Sequence, residues 1–202
     1  MPGYFISSKD SLKIIYEKSF KYLFILGLPI TIGTTLLADR LIHLFYGEQF
    51  NNSVIILQIL AWDILLIFLY WSLTVTLVSI NKQNKVIIIA FLTAIINITL
   101  NIALIPSFSY IGAAIATIIS EIFLISSYLY FNSRYIYSIK IHKIIPKPII
   151  ACTLMGIFIY QFNNINLFVL IMLAIILYFT SLFLLKGFSN DDIQVLKKLL
   201  KR

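Results

Sequence analysis

The chain has 202 residues, 60% of them hydrophobic and only 12% charged, with a formal net charge of +8 and a mean hydropathy of +0.97. A soluble domain carries roughly a quarter charged residues, so this composition excludes an ordinary water-soluble globule. The basic residues flank apolar runs instead of forming a patch of their own, which argues for membrane orientation and against a nucleic-acid partner.

Taken in chain order, residues 1–19 are polar and basic where a signal peptide would be apolar. Asp10 precedes Leu12, Ile15, Tyr16 and Phe20, apolar at helical spacing, while Lys9, Lys13, Glu17, Lys18 and Lys21 take the other faces. The spacing predicts a cytoplasmic amphipathic helix feeding the first span. Such an entry resembles an internal loop of a longer protein, so a truncated or partial chain is expected.

Six apolar runs follow, over residues 20–38, 54–80, 86–105, 111–131, 149–162 and 167–185. Crossing a hydrocarbon core about 30 Å thick takes about 20 helical residues. The fifth run is short, and Pro146 and Pro148 crowd its start. None alternates strictly as a membrane β-barrel strand does, so the expected fold is all-α, a polytopic membrane bundle of about six transmembrane helices. Residues 39–53 are too polar to cross and too apolar to hang in water. They predict a short helix on the outer surface, ending near Gly47, with Phe45 and Tyr46 as interfacial anchors. Residues 132–147 read as a basic cytoplasmic linker. Residues 186–202 read as a final amphipathic helix with Asp191 and Asp192 in its first turn.

Six spans place both termini on one side, and that side receives fifteen of the sixteen Lys and Arg residues. The opposite side holds only Arg40. By the positive-inside rule the expected protein is a multi-pass component of the cytoplasmic membrane with both termini cytoplasmic.

Polar residues inside spans are costly, about 2.5–3.5 kcal/mol for a central Asp, and so face protein or a water-filled cavity. Glu121 lies ten residues after Ile111, roughly 15 Å deep at about 1.5 Å per residue, on a helix with a small-residue face of Ala113, Ala116, Thr117 and Ser120. It is either a cavity or coupling-ion group or a structural carboxyl bonded to a neighbouring helix. Asp63 begins a stripe continued by Tyr70, Thr74 and Asn81, which return near one helical angle. Such a stripe suits a water-facing wall or a helix–helix seam. Thr93, Asn97 and Asn101 repeat the theme in the third span, as interhelical glue or as substrate contacts. Gly27 and Pro29 predict a kink in the first span. Arg40 can meet an anionic headgroup or its neighbour Asp39.

The single Cys152 offers neither an intrachain disulfide nor a metal cluster, and His43 and His142 fall on opposite sides. With no nucleotide-binding glycine loop, no HExxH and no Ser/His/Asp set on one face, neither an enzyme, nor a cofactor, nor a metal is expected.

Five segments then carry a family likeness: LGLPI at 26–30, LFYGEQF at 44–50, the NKQNK turn at 81–85, NITLNIALIP at 97–106 and IGAAIATIISE at 111–121. In that order and spacing, residues 20–131 resemble the C-terminal membrane domain of polysaccharide-biosynthesis flippases. These belong to the multidrug/oligosaccharidyl-lipid/polysaccharide exporter superfamily. Spans within 148–185 resemble the extra C-terminal pair of its longer members. The resemblance implies part of a two-lobe transporter that flips lipid-linked oligosaccharides or polysaccharide repeat units by alternating access. It also implies membrane lipids as surroundings and a missing or separately encoded N-terminal lobe as partner. Two other readings stay open: a cation-coupled multidrug antiporter, and an assembly subunit that transports nothing by itself. A flippase of anionic pyrophosphate-linked substrates needs a basic lining, and no span here carries a central cation.

Overall fold

The computed structural model describes residues 9–187 and divides the chain into two compact units, Met1–Lys140 and Ile141–Arg202. The elements are α1 (Lys9–Tyr46), a 3₁₀ turn (Glu48–Phe50), α2 (Ser53–Ser79), α3 (Gln83–Tyr135), α4 (Ile141–Ile144), α5 (Pro146–Gln161) and α6 (Leu167–Leu184). The expected terminal helix over 186–202 lies almost wholly outside the described residues, as do residues 1–8 of the expected N-terminal segment.

Every described element is helical, and α1, α2, α3 and α6 are long and apolar enough to cross a membrane. The protein is an all-α, multi-pass membrane helix bundle. With no water in the hydrocarbon to satisfy backbone groups, helices that close their own hydrogen bonds are the structures such a sequence can form.

In the first unit, α1 is one helix of 38 residues that runs through Pro29. At about 1.5 Å per residue it is about 57 Å long, nearly twice the thickness of a hydrocarbon core. It therefore absorbs both the expected amphipathic entry and the expected outer helix. The entry face buries Leu12, Tyr16 and Phe20, continuing through Phe24 and Leu28 at four-residue spacing, whereas Ile15 stays exposed. The helix stops at Gly47, whose φ of 85° favours glycine.

α1 packs along α2, and α2 along α3. α2 ends in a Schellman closure. Asn81 adopts φ 59°, its N–H donates to the Val78 carbonyl at 3.0 Å, and the Lys82 N–H donates to the Leu77 carbonyl at 3.0 Å.

α3 is two helices joined at Ser109, whose φ 51° and ψ −134° are not helical. The chain doubles back there. Asn97 bonds Ser120, the Tyr128 hydroxyl donates to the Val86 carbonyl at 3.3 Å, and Gly112 sits against the Leu104 carbonyl, pairs that nest about one centre. Residues 83–108 and 110–135 thus form an antiparallel hairpin and supply two crossings. Gly112 makes the return possible: a Cβ there would lie 2.6 Å from the Leu104 carbonyl oxygen. Asn132, fully buried, ties the hairpin to α2 by donating to the Leu73 carbonyl at 3.1 Å and to the Tyr128 carbonyl at 2.9 Å.

In the second unit, α5 and α6 pack together, burying Ala151, Cys152, Met155 and Ile159 with Leu170, Ala174, Tyr178 and Leu182. α5 has 16 residues and begins at Pro146. Proline fits the first helical turn because that N–H has no intrahelical acceptor. The Asn166 side chain caps α6 by accepting from the Phe168 and Val169 N–H groups at 3.0 and 3.5 Å.

Candidate functional site

Three helical segments of the first unit enclose an open groove of about 590 Å³ near their midpoints. α2 contributes Ile67, Tyr70 and Trp71. The outgoing half of α3 contributes Ala90, Thr93, Ala94 and Asn97, and the returning half Thr117, Ser120, Glu121 and Leu124. The spacing explains the wall: 90, 93, 94 and 97, like 117, 120, 121 and 124, recur at three and four and so share one face of a helix.

Most of its hydroxyls are held back against their own helices. Thr93 donates to the Ile89 carbonyl at 2.9 Å, Thr117 to Ala113 at 3.1 Å and Ser120 to Ala116 at 2.7 Å. Bonds of this kind satisfy the donor of a hydroxyl inside a span and leave its oxygen lone pairs available to accept. The Ser120 oxygen uses one by accepting from the Asn97 amide at 3.3 Å. Asn101 sits one turn farther on and donates to both the Asn97 carbonyl and the Asn97 Oδ1, at 2.9 and 3.0 Å. It orients Asn97 and does not itself line the groove.

Glu121 supplies the carboxyl group of the lining and is half-buried. Asp63 of α2 is also half-buried, with Oδ1 enclosed and without a hydrogen-bond partner. The structure therefore brings together Glu121 and Asn97, with Asn101 behind Asn97, whereas Asp63 is not among the residues that line the groove. Arg40 is elsewhere, near the other end of α1 beside Asp39, whose carboxylate faces His43 Nδ1 at 3.2 Å. The stripe on α2 divides: Tyr70 lines the groove, while Asn81 lies beyond the helix and serves the turn.

Two residues beside the site carry a signal not used in the sequence reading. Tyr128 packs its ring 5.8 Å from Tyr70, and Asn132 clamps α2. They stand 7 and 11 residues after Glu121, the same offsets that mark one face of α2. Trp71 was hidden because an aromatic residue in a span reads as lipid-facing. Among the described residues no group of three or more His, Cys, Asp or Glu is placed to hold a metal ion.

The first unit of this multi-pass helix bundle thus holds a groove at mid-span in which amide, hydroxyl and carboxyl groups stand among apolar side chains. The sequence profile of the family described as Lipid II flippase MurJ matches residues 7–179, and the chain belongs to that family. It is similar to the capsular polysaccharide biosynthesis protein CapF of Staphylococcus aureus, 29% identical over 130 residues, which cover 62% of this chain and 33% of that protein. The probable low-salt glycan biosynthesis flippase Agl15 of Haloferax volcanii is 24% identical over 114 residues, 56% of this chain and 24% of that one. An uncharacterized membrane protein of Methanocaldococcus jannaschii is 26% identical over 150 residues, 74% of this chain and 29% of its own length. The chain spans a third or less of each of these relatives. No solved structure gave a significant match.

Proposed function

We propose that this chain is the C-terminal portion of a transporter, not an enzyme. The transporter moves lipid-linked oligosaccharide or polysaccharide repeat units across the cytoplasmic membrane by alternating access. The observation that carries the reading is the groove at mid-span, where Asn97, Ser120, Thr93 and Glu121 stand among apolar residues, in a chain of the flippase family. A saccharide crossing the hydrocarbon needs hydrogen-bond partners there, and amide, hydroxyl and carboxyl groups supply them.

Residues 20–131 form the transport domain in this reading, 148–185 an accessory pair of spans, and 1–19, 132–147 and 186–202 cytoplasmic segments. The concentration of Lys and Arg at one set of helix ends supports cytoplasmic termini. Since the matched stretch covers 33% or less of each relative, the opposite wall of the cavity belongs, in this reading, to an N-terminal lobe, on the same polypeptide or a separate one.

One observation favours a second reading. The spans carry two carboxyls, Glu121 in the groove lining and Asp63 of α2 with Oδ1 enclosed and without a hydrogen-bond partner, as carboxylates serving a coupling cation in an antiporter would be. A single assay separates the two. The protein as its cell makes it is expressed in a strain lacking its own sugar-lipid flippase, alongside Glu121→Gln and Asp63→Asn. Restored surface polysaccharide that falls at least tenfold in Glu121→Gln supports the flippase. Absent polysaccharide with gained resistance to cationic dyes moves the assignment to the antiporter.

A further inference from the structure

Three lysines, two from the 81–85 turn and one from α1, converge on one short aromatic segment at the basic end of the first unit. Lys82 Nζ lies 4.9 Å from the Tyr135 ring centroid, Lys85 Nζ lies 5.7 Å from that of Phe131, and Lys13 Nζ lies 4.0 Å from that of Tyr137. The Phe131 and Tyr135 rings are themselves stacked, 6.1 Å apart and 13° from parallel. All three lysines are half-buried, and among the described residues no carboxylate forms an ion pair with them. Such cations are held in place by ring faces and by their stems while their charge stays uncompensated.

The backbone fixes this arrangement. Asn81, in the left-handed region, reverses the chain so that Lys82 closes the Schellman turn and Lys85 follows in the first turn of α3. Both project across the hairpin to the last turns of its returning half. The lining of the groove begins about one to two turns farther along both halves of the hairpin. Ala90 in its wall stands five residues from Lys85, about 7.5 Å along the helix, and Leu124 stands seven from Phe131, about 10 Å. Charge complementarity then names the occupant: a compact, multiply charged anion attached to a chain that can lie in the hydrocarbon.

We propose that Lys82 and Lys85, seated on the stacked rings of Tyr135 and Phe131, bind the diphosphate headgroup of a lipid-linked sugar about one to two turns beyond the groove lining. The proposal rests on the flippase reading and supplies the cationic contact that the spans lack. Lys13 on Tyr137 borders the same site. The diphosphate waits at the membrane face while the sugar reaches the Asn97–Glu121 lining.

The test uses the full chain in phosphatidylcholine nanodiscs and measures retention of a radiolabelled polyprenyl diphosphate. The Lys82→Gln/Lys85→Gln double variant should bind at least tenfold more weakly. Lys82→Arg/Lys85→Arg should stay within twofold of the parent, which shows that the variants fold. Lys140→Gln/Lys143→Gln removes the same charge elsewhere and should also stay within twofold. Inorganic pyrophosphate should compete, and phosphatidylglycerol should compete far less well. Equal loss in the two glutamine pairs, no loss in either, no binding by the parent, or equal competition by phosphatidylglycerol each overturns the site. The polysaccharide assay judges the flippase reading separately: rescue by the parent and equally by Lys82→Gln/Lys85→Gln removes this site and leaves that reading standing.

Discussion

Asn97 donates its side-chain amide to the Ser120 hydroxyl, 3.3 Å away, across the two halves of the α3 hairpin. The bond joins the outgoing and returning helices at the level of the groove and links two of its lining residues. Polar bonds between membrane helices average about 0.6 kcal/mol and reach about 1.7. At 3.3 Å this one belongs near the lower value. A double-mutant cycle of Asn97→Ala and Ser120→Ala, read by unfolding in detergent, should return a coupling of about 0.5 kcal/mol. Strict additivity would show that the two side chains do not meet.

The hairpin itself depends on Gly112. A methyl group at that position meets the Leu104 carbonyl at 2.6 Å, and backbone cannot step aside as a side chain can. Gly112→Ala should therefore cost about 1–3 kcal/mol, the range for overpacking. Gly33, where a Cβ would meet nothing within 4 Å, is the matched control, and Gly33→Ala should cost nothing. Thermal unfolding of the two variants in the same detergent compares them.

Asn81 supplies the turn that delivers Lys82 and Lys85 to their aromatic seats. Its φ of 59° suits asparagine and glycine and penalises a β-branched residue. Asn81→Gly should leave stability within about 0.5 kcal/mol, while Asn81→Val should lose about 1–2 kcal/mol, the cost of the left-handed region. If the two variants unfold alike, Asn81 is not acting through its backbone.

Asn132 is wholly enclosed, and its amide reaches the Leu73 carbonyl of α2 at 3.1 Å. Leucine matches its size and lacks the donor. Asn132→Leu should loosen the α2–α3 seam by about 0.6–1.7 kcal/mol. Proteolysis at the 79–83 turn, followed over time, should speed up accordingly. A variant as resistant as the parent would assign the seam to packing alone.

Hydropathy and charge made much of this architecture legible. The first four apolar runs correspond to the middle of α1, α2 and the two halves of α3, and the polar residues singled out in α2 and α3 include six that line the groove: Tyr70, Thr93, Asn97, Thr117, Ser120 and Glu121. Three features escaped for physical reasons. Hydropathy reports solvent preference, not helix continuity, so α1 was divided where Asp39 and Arg40 follow Ala38, although the helix runs on to Tyr46. Asn132 at the end of a run looks like a headgroup contact, because burial at a helix end comes from the neighbour it meets. Likewise Lys82 and Lys85 read as orientation charges, since the rings beneath them lie about 50 residues farther along the chain. Arg40, chosen for its isolation in the sequence, does not join the groove.

The central claim is that transport runs through the groove between α2 and the α3 hairpin. Ala94 lines it and is exposed within it, so Ala94→Trp fills the space, whereas Ile102→Trp places the same bulk on a side chain 72% exposed outside it. The measurement is surface polysaccharide restored by each variant of the intact protein in the flippase-deficient strain, at matched membrane levels. The account predicts at least a tenfold loss for Ala94→Trp and near-parental rescue for Ile102→Trp. Full rescue by Ala94→Trp would contradict it.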